Sequence, residues 1–223
     1  MKREIIKTLD GSTTIHLPEW GESYHSKHGA IQEAYHVFIK NGLSLFEGKP
    51  ISIMEIGFGT GLNAFITFLE AEKSGQQIAY TGVEAYPVPF EEVDQLNYVD
   101  ELKAVHYQSA FSLMHQQQWE IPATISDTFT LTKKKRFFHE IDDVDKYDLI
   151  YFDAFGYRVQ PELWSAEIFG KMYASLKTQG VLVTYAARSP IKRAMIASGF
   201  KVEKLAGPPG KREMFRALKC NTL

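Results

Sequence analysis

Apolar positions follow two rhythms along this chain. In the first part, Ala30, Ile31, Ala34, Val37 and Phe38 recur at helical spacing and predict a helix over 28–40, stopped by Gly42. Ahead of it, residues 13–17 read as a strand. From residue 51, short apolar runs alternate with amphipathic segments. Residues 51–56, 78–83, 148–152 and 180–185 predict buried strands; 62–71, 164–176 and 190–198 predict helices, and 89–118 predicts mainly helix. Residues 128–139 read as a hairpin that turns at Lys133-Lys134-Lys135 and returns through Phe137-Phe138. Strands alternating with helices imply βαβ units and a mainly parallel sheet. The last two strands, 200–205 and 214–219, are joined by Gly207-Pro-Pro-Gly210 instead of a helix, which predicts an antiparallel hairpin at the sheet edge. The expectation is one α/β domain over 1–223 with a mixed sheet of about seven strands. Residues 1–47 form an amino-terminal cap and 48–220 the core.

Composition narrows the function classes. The net charge of −2 means that any nucleic-acid contact must come from a local basic patch. Candidate patches are Lys133-Lys134-Lys135-Arg136, Lys192-Arg193 and Lys211-Arg212. The first fits a solvated turn; the last follows a rigid loop that can project it. A single cysteine, Cys220, excludes an internal disulfide and a cysteine-based zinc site. His25 and His28 lack the further ligands a metal centre needs, so no metal is expected. The start of the chain lacks a signal-peptide run, and no stretch reaches the roughly 18 apolar residues of a membrane helix. A cytoplasmic protein with no membrane partner is expected.

Three carboxylates carry the chemistry. Glu55 precedes Gly57-Phe58-Gly59-Thr60-Gly61, a glycine-rich turn between a predicted strand and a predicted helix. An acid there repels a pyrophosphate and suits the ammonium and sulfonium of S-adenosylmethionine. Glu84 ends the second strand of the alternating region, where a carboxylate accepts hydrogen bonds from ribose hydroxyls. Asp153, followed by Ala154-Phe155-Gly156, ends the strand at 148–152 and is the candidate to orient a substrate amine or accept its proton. Glu140 and Asp142 are candidates for an adenine contact, although their surroundings also read as a plain polar turn.

Taken together, these residues resemble the methyltransferase domain of the tRNA-modifying MnmC/MnmD family, over nearly the whole chain. The likeness rests on residues 54–63 (MEIGFGTGLN), on Tyr24-His-Ser-x-His-Gly-Ala30 with Glu33 and His36-Val-Phe38, and on Glu84-Ala-Tyr-Pro87. It rests also on Asp153-Ala-Phe155 before Pro161-Glu-x-Trp164, and on Gly207-Pro-Pro-Gly-Lys-Arg-Glu-Met214. The resemblance implies a Rossmann-like class I methyltransferase fold. It implies that Glu55, Gly57, Phe58, Gly59, Thr60, Gly61, Asn63, Glu84, Ala85, Glu140 and Asp153 hold S-adenosylmethionine. It implies methylation of 5-aminomethyl(-2-thio)uridine at the wobble position, in the anticodon loop of tRNA, to the 5-methylaminomethyl form. Tyr24, Ser26, His28, Phe155, Tyr185, Lys211 and Arg212 are then candidates for the uridine side, and Trp164 for stacking or core. The family's two-domain members carry a FAD-dependent oxidase domain; none is expected in this chain. The alternatives are a methyltransferase of another amine, small molecule or protein, an aminopropyltransferase of the spermidine synthase kind, and a catalytically silent binding module. The second usually carries an acid within the glycine run, which residues 57–61 lack.

Overall fold

The computed structural model describes residues 2–220. Three strands open the chain, β1 (Glu4–Lys7), β2 (Thr13–Leu17) and β3 (Glu22–Ser23), and form a small antiparallel sheet of their own. Helix α1 (Ala30–Ala34) runs on as π-helix through Tyr35–Lys40. The core follows: β4 (Ile51–Ile56), α2 (Leu62–Ser74), β5 (Ile78–Val83), α3 (Phe90–Val93), α4 (Tyr98–Glu101) and α5 (Gln108–Gln116). Then come β6 (Ala123–Thr124), β7 (Phe129–Lys134), β8 (Tyr147–Phe152), α6 (Ala166–Ser175), β9 (Leu176–Thr184), α7 (Ser189–Ala197), β10 (Lys201–Ala206) and β11 (Glu213–Leu218).

These strands make one eight-stranded sheet in the order β10-β11-β9-β8-β4-β5-β7-β6. Its five central strands are parallel; β6, β10 and β11 run against their neighbours. The eighth strand beyond the predicted seven is β6, a two-residue pairing too short to leave a periodic signal. The predicted carboxy-terminal hairpin is present as β10–β11, with β11 inserted between β10 and β9.

Four of the five central strands, β4, β5, β8 and β9, are buried on both sides near their carboxyl ends. Ile53 and Tyr151 face a cluster with Phe65 of α2 and Ile15 and Val37 of the amino-terminal segment, while Met54, Ile150 and Phe152 face Phe169 and Met195 of α6 and α7. This is why the strands read as continuous apolar runs instead of alternating ones.

The hairpin predicted over 128–139 is corrected. Residues 129–134 are one strand, parallel to β5, and the antiparallel neighbour precedes it. Phe129, Leu131 and Lys133 alternate inward. The Lys133 side chain is buried; its ammonium donates to the His115 carbonyl at 2.6 Å and lies 4.9 Å from the Trp119 ring centroid. Burial lowers its pKa to about 8. The lysine run is therefore the end of a strand, with Lys134 paired to Asp143 at 3.0 Å, and not a solvated turn.

Candidate active site

The strand order reverses at β4: the chain goes to β5 on one side and later returns to β8 on the other. A crevice opens at such a point, at the carboxyl ends of the strands. Register places the acids there. Ile56 pairs with both Val83 and Phe152, so Glu55 lies one residue before that line, and Glu84 and Asp153 one residue after it. All three line a single cavity of about 1060 Å³.

The acids are tied together. Glu55 is 1% exposed, and Asn63, in the first turn of α2, donates through its one Nδ2 to both Glu55 Oε1 and Asp153 Oδ2, each at 2.8 Å. Gly57 lets the loop pass: its φ is +88°, and a Cβ there would meet the Asp153 carbonyl oxygen at 2.6 Å. Glu84 accepts from the Gly59 amide at 3.1 Å and the Tyr86 amide at 2.9 Å.

Burial dominates the electrostatics. It pushes Glu55 well above the usual carboxylate range, with Asp153 adding repulsion, and it raises Glu84. Asp153 is pushed up to about 7 by burial and then by the nearby Glu33 carboxylate. Clustered carboxylates in a dry pocket favour a cationic ligand, which would return them to the ionised form.

The donor expected from the sequence fits the residues present. Glu55 Oε2 and Asn63 Oδ1 are buried acceptors without a hydrogen-bond partner among the described residues, and both residues line the cavity. An ammonium is the complement of such a pair, since unpaired buried acceptors are costly. Phe58, Gly59, Thr60 and Ala85 also line the cavity. Thr60, however, spends its hydroxyl on Tyr98 at 3.0 Å.

Three expected contacts are corrected. Glu140 does not line the cavity; its carboxylate caps its own turn, accepting from the Phe137 amide at 2.7 Å, and its side chain is exposed. Phe137, Phe138 and His139 stand at the cavity wall in its place. Gly61 faces away, its Cβ position 2.7 Å from the His115 ring. Arg212 is exposed and lines a neighbouring shallow groove with Tyr157, Tyr185, Arg188 and Lys211.

On the uridine side, Tyr24, Ser26, His28, Phe155, Tyr185 and Lys211 do reach the cavity wall. Phe155 packs edge-on against Tyr24, with centroids 5.0 Å apart, and against Trp20 at 5.5 Å. Trp164 stays in the core, 1% exposed, and donates to the Phe155 carbonyl at 2.8 Å. Several lining residues carry no sequence signal of their own. Arg3 and Trp20 arrive with the small-sheet segment, whose residues contribute to the cavity wall. Glu33 belongs to the motif that follows Tyr24–Ala30, but its place on the cavity wall, where it accepts from the Ser26 amide at 3.0 Å, is set by the fold.

The chain is also similar to known proteins. A family model described as S-adenosyl-L-methionine-dependent methyltransferase matches residues 97–220, more than half of the chain. The bifunctional protein MnmC of tRNA 5-methylaminomethyl-2-thiouridine biosynthesis from Cupriavidus metallidurans is 28% identical over 234 aligned positions, covering 95% of this chain and 33% of that protein. The chain thus spans about a third of the length of the curated relatives it matches. Among solved structures, MnmC2 of Aquifex aeolicus superposes with a TM-score of 0.72 at 23% identity, covering 99% of this chain and 72% of that one. Spermidine synthase of Thermotoga maritima superposes at 0.57 with 14% identity, covering 97% and 68%. These likenesses establish a Rossmann-like methyltransferase fold.

Proposed function

Because this chain belongs to the S-adenosyl-L-methionine-dependent methyltransferase family, we propose that it methylates the primary amine of 5-aminomethyl(-2-thio)uridine at the tRNA wobble position, in the cytoplasm, giving the 5-methylaminomethyl form. The names of its curated relatives support the substrate. The observation that carries the reading is the acid at the end of β8: Asp153 stands beside the Glu55–Asn63 pair, in a cavity whose other side is aromatic.

Glu55 and Asn63 would receive the donor's amino-acid ammonium, and Glu84 its ribose hydroxyls, with the Gly57–Gly59 backbone alongside. Phe137, Phe138 and His139 are apolar or aromatic surfaces suited to a flat purine. When bound, the donor supplies an electrophilic sulfonium methyl whose thioether leaving group is neutral and needs no acid. Asp153 then has the proton to manage. A primary ammonium cannot attack; it must first lose a proton. Asp153 Oδ2 is held by Asn63, which leaves Oδ1 to accept that proton once the bound cationic donor has returned the carboxyl to its ionised form. Tyr24 and Phe155 offer faces on which an unstacked uracil packs. Orientation supplies most of the acceleration, for which roughly 7–11 kcal/mol is available to well-placed reactants.

The test is Asp153→Ala. Donor binding by calorimetry stays within a few-fold, while methyl transfer to aminomethyl-bearing tRNA falls by about 10²–10⁴, the range of a lost general base. Turnover like that of the wild type refutes the role.

A further inference from the structure

Glu33 and Lys211 form an ion pair at the crevice wall. Glu33, in the first turn of α1, is 7% exposed and lines the cavity. Its Oε2 accepts from the Ser26 amide at 3.0 Å, and its Oε1 meets the ammonium of Lys211, which arrives from the β10–β11 loop. The same ammonium sits 3.9 Å from the centroid of the Tyr185 ring. That ring is fixed in turn, its hydroxyl donating to the Ala154 carbonyl at 2.8 Å, next to Asp153. A buried carboxylate and an aromatic face together make a receptor for a small cation. The group that fills it is a primary ammonium on a methylene chain, the same chemical group as the proposed substrate's amine.

We propose that Glu33 and Tyr185 form the seat of the substrate's primary ammonium, and that Lys211 occupies this seat until the substrate arrives. The inference rests on the amine-methylation reading above and adds a specificity-determining residue to it. Three observations support an exchangeable Lys211 over a permanent strut. The loop is held to the α1 region without it: His36 Nε2 bonds the Ala206 carbonyl at 2.8 Å, and the His28 ring lies in the space that a side chain on Gly210 would take. The fixed parts of the seat are pinned by backbone groups, not by the lysine. Lys211 is also one of two residues, with Tyr185, that line both the cavity and the neighbouring groove of Tyr157, Arg188 and Arg212, so its side chain has somewhere to swing. Exchanging one primary ammonium for another keeps the buried carboxylate paired throughout, which avoids the penalty of an orphaned charge. A neutral or bulky group gains nothing from the seat, and this selects an aminomethyl substituent.

The experiment uses the full chain and 5-aminomethyluridine nucleoside as the probe. A brief pulse of isotope-labelled acetylating reagent, far below the nucleoside concentration so that the nucleoside's own amine survives, is followed by peptide mass analysis, with and without saturating nucleoside, and Lys211 labelling is read as a ratio to the other lysines. The expected result is a severalfold faster labelling of Lys211 when nucleoside is present, with the other lysines unchanged. Slower or unchanged labelling overturns the proposal. In turnover, Glu33→Gln, which keeps an acceptor for the Ser26 amide, raises the nucleoside KM about tenfold or more, the scale of a lost charge-assisted contact. Donor affinity stays within about twofold. Lys211→Met, which removes the competitor, lowers that KM. An unchanged KM in Glu33→Gln, or a raised one in Lys211→Met, overturns it as well. If the wild-type protein methylates no aminomethyluridine in nucleoside or tRNA, the substrate reading itself has failed. The labelling experiment still reads the seat, since it needs no turnover.

Discussion

The titration of Asp153 gives a measurable consequence. Its carboxyl is held at about 7, above its ordinary 3.8, mainly by burial and secondarily by Glu33. At about 1.36 kcal/mol per unit, that shift stores at most about 4 kcal/mol, which a bound cation can return. At pH 7 the free protein therefore carries about half a proton on Asp153. Binding S-adenosylmethionine places positive charge among these acids and should expel that proton. The donor's own α-amino group, at roughly 7.7–8.0, takes up only about 0.1–0.2 proton to complete its ammonium. The account predicts net release of at least about 0.3 proton per donor bound at pH 7. Isothermal titration calorimetry in buffers of different ionisation enthalpy reads this directly, and Asp153→Asn should lower the release by about half a proton. Net uptake by the wild type, or the same release from the variant, would refute the reasoning. The sign also fixes a stability profile. Between about pH 4 and 7 the native state binds this proton and the unfolded chain does not, so Asp153 costs stability as pH rises through that window.

Other residues yield sharper single outcomes. Glu84→Ala removes charged acceptors worth about 1.5–3 kcal/mol per hydrogen bond and should weaken donor affinity about 10- to 150-fold; equal affinity would show that Glu84 does not touch the donor. Gly57→Ala forces a side chain onto φ +88° and against the Asp153 carbonyl. It should cost about 1–3 kcal/mol and lower Tm by about 2–12 °C, and an unchanged melting curve would contradict the loop's described conformation. Lys133, held at about 8 against its ordinary 10.5, makes the wild type more stable as pH climbs through that interval, by about 3 kcal/mol at most. Lys133→Met should abolish that alkaline rise in chemical denaturation, and a retained rise would mean that another group titrates there.

Much of the fold was legible because parallel strands buried on both faces leave mostly apolar runs, as β4, β5, β8 and the second half of β9 do. The acids were legible for a topological reason: each sits at or just beyond a strand's carboxyl end, where ligands bind in open α/β sheets. What the sequence hid was side-chain burial against type. Lys133 reads as solvent-facing because lysine rarely lies in a core; its carbonyl and indole partners come from the chain around 115–119, which no local pattern announces. Glu140 misled in the opposite sense. It is an acid in the right region whose carboxylate is used by its own backbone turn. Strand β1 is only four residues long, too short for a periodic signal, so nothing local announces the contribution of Arg3 to the cavity wall. Glu33 stood within a recognisable motif, but its meeting with Lys211 spans 178 residues of sequence and belongs to tertiary structure alone.

Methyl transfer to a primary amine at the wobble uridine is the reaction proposed for this site. The most direct measurement incubates the purified chain with methyl-labelled S-adenosylmethionine and tRNA whose wobble uridines carry the aminomethyl group, digests the tRNA and weighs its nucleosides. The account predicts that the aminomethyl nucleoside disappears and its singly N-methylated form takes up the label. Label on a different nucleoside, or none on tRNA while a small amine is methylated, would contradict it.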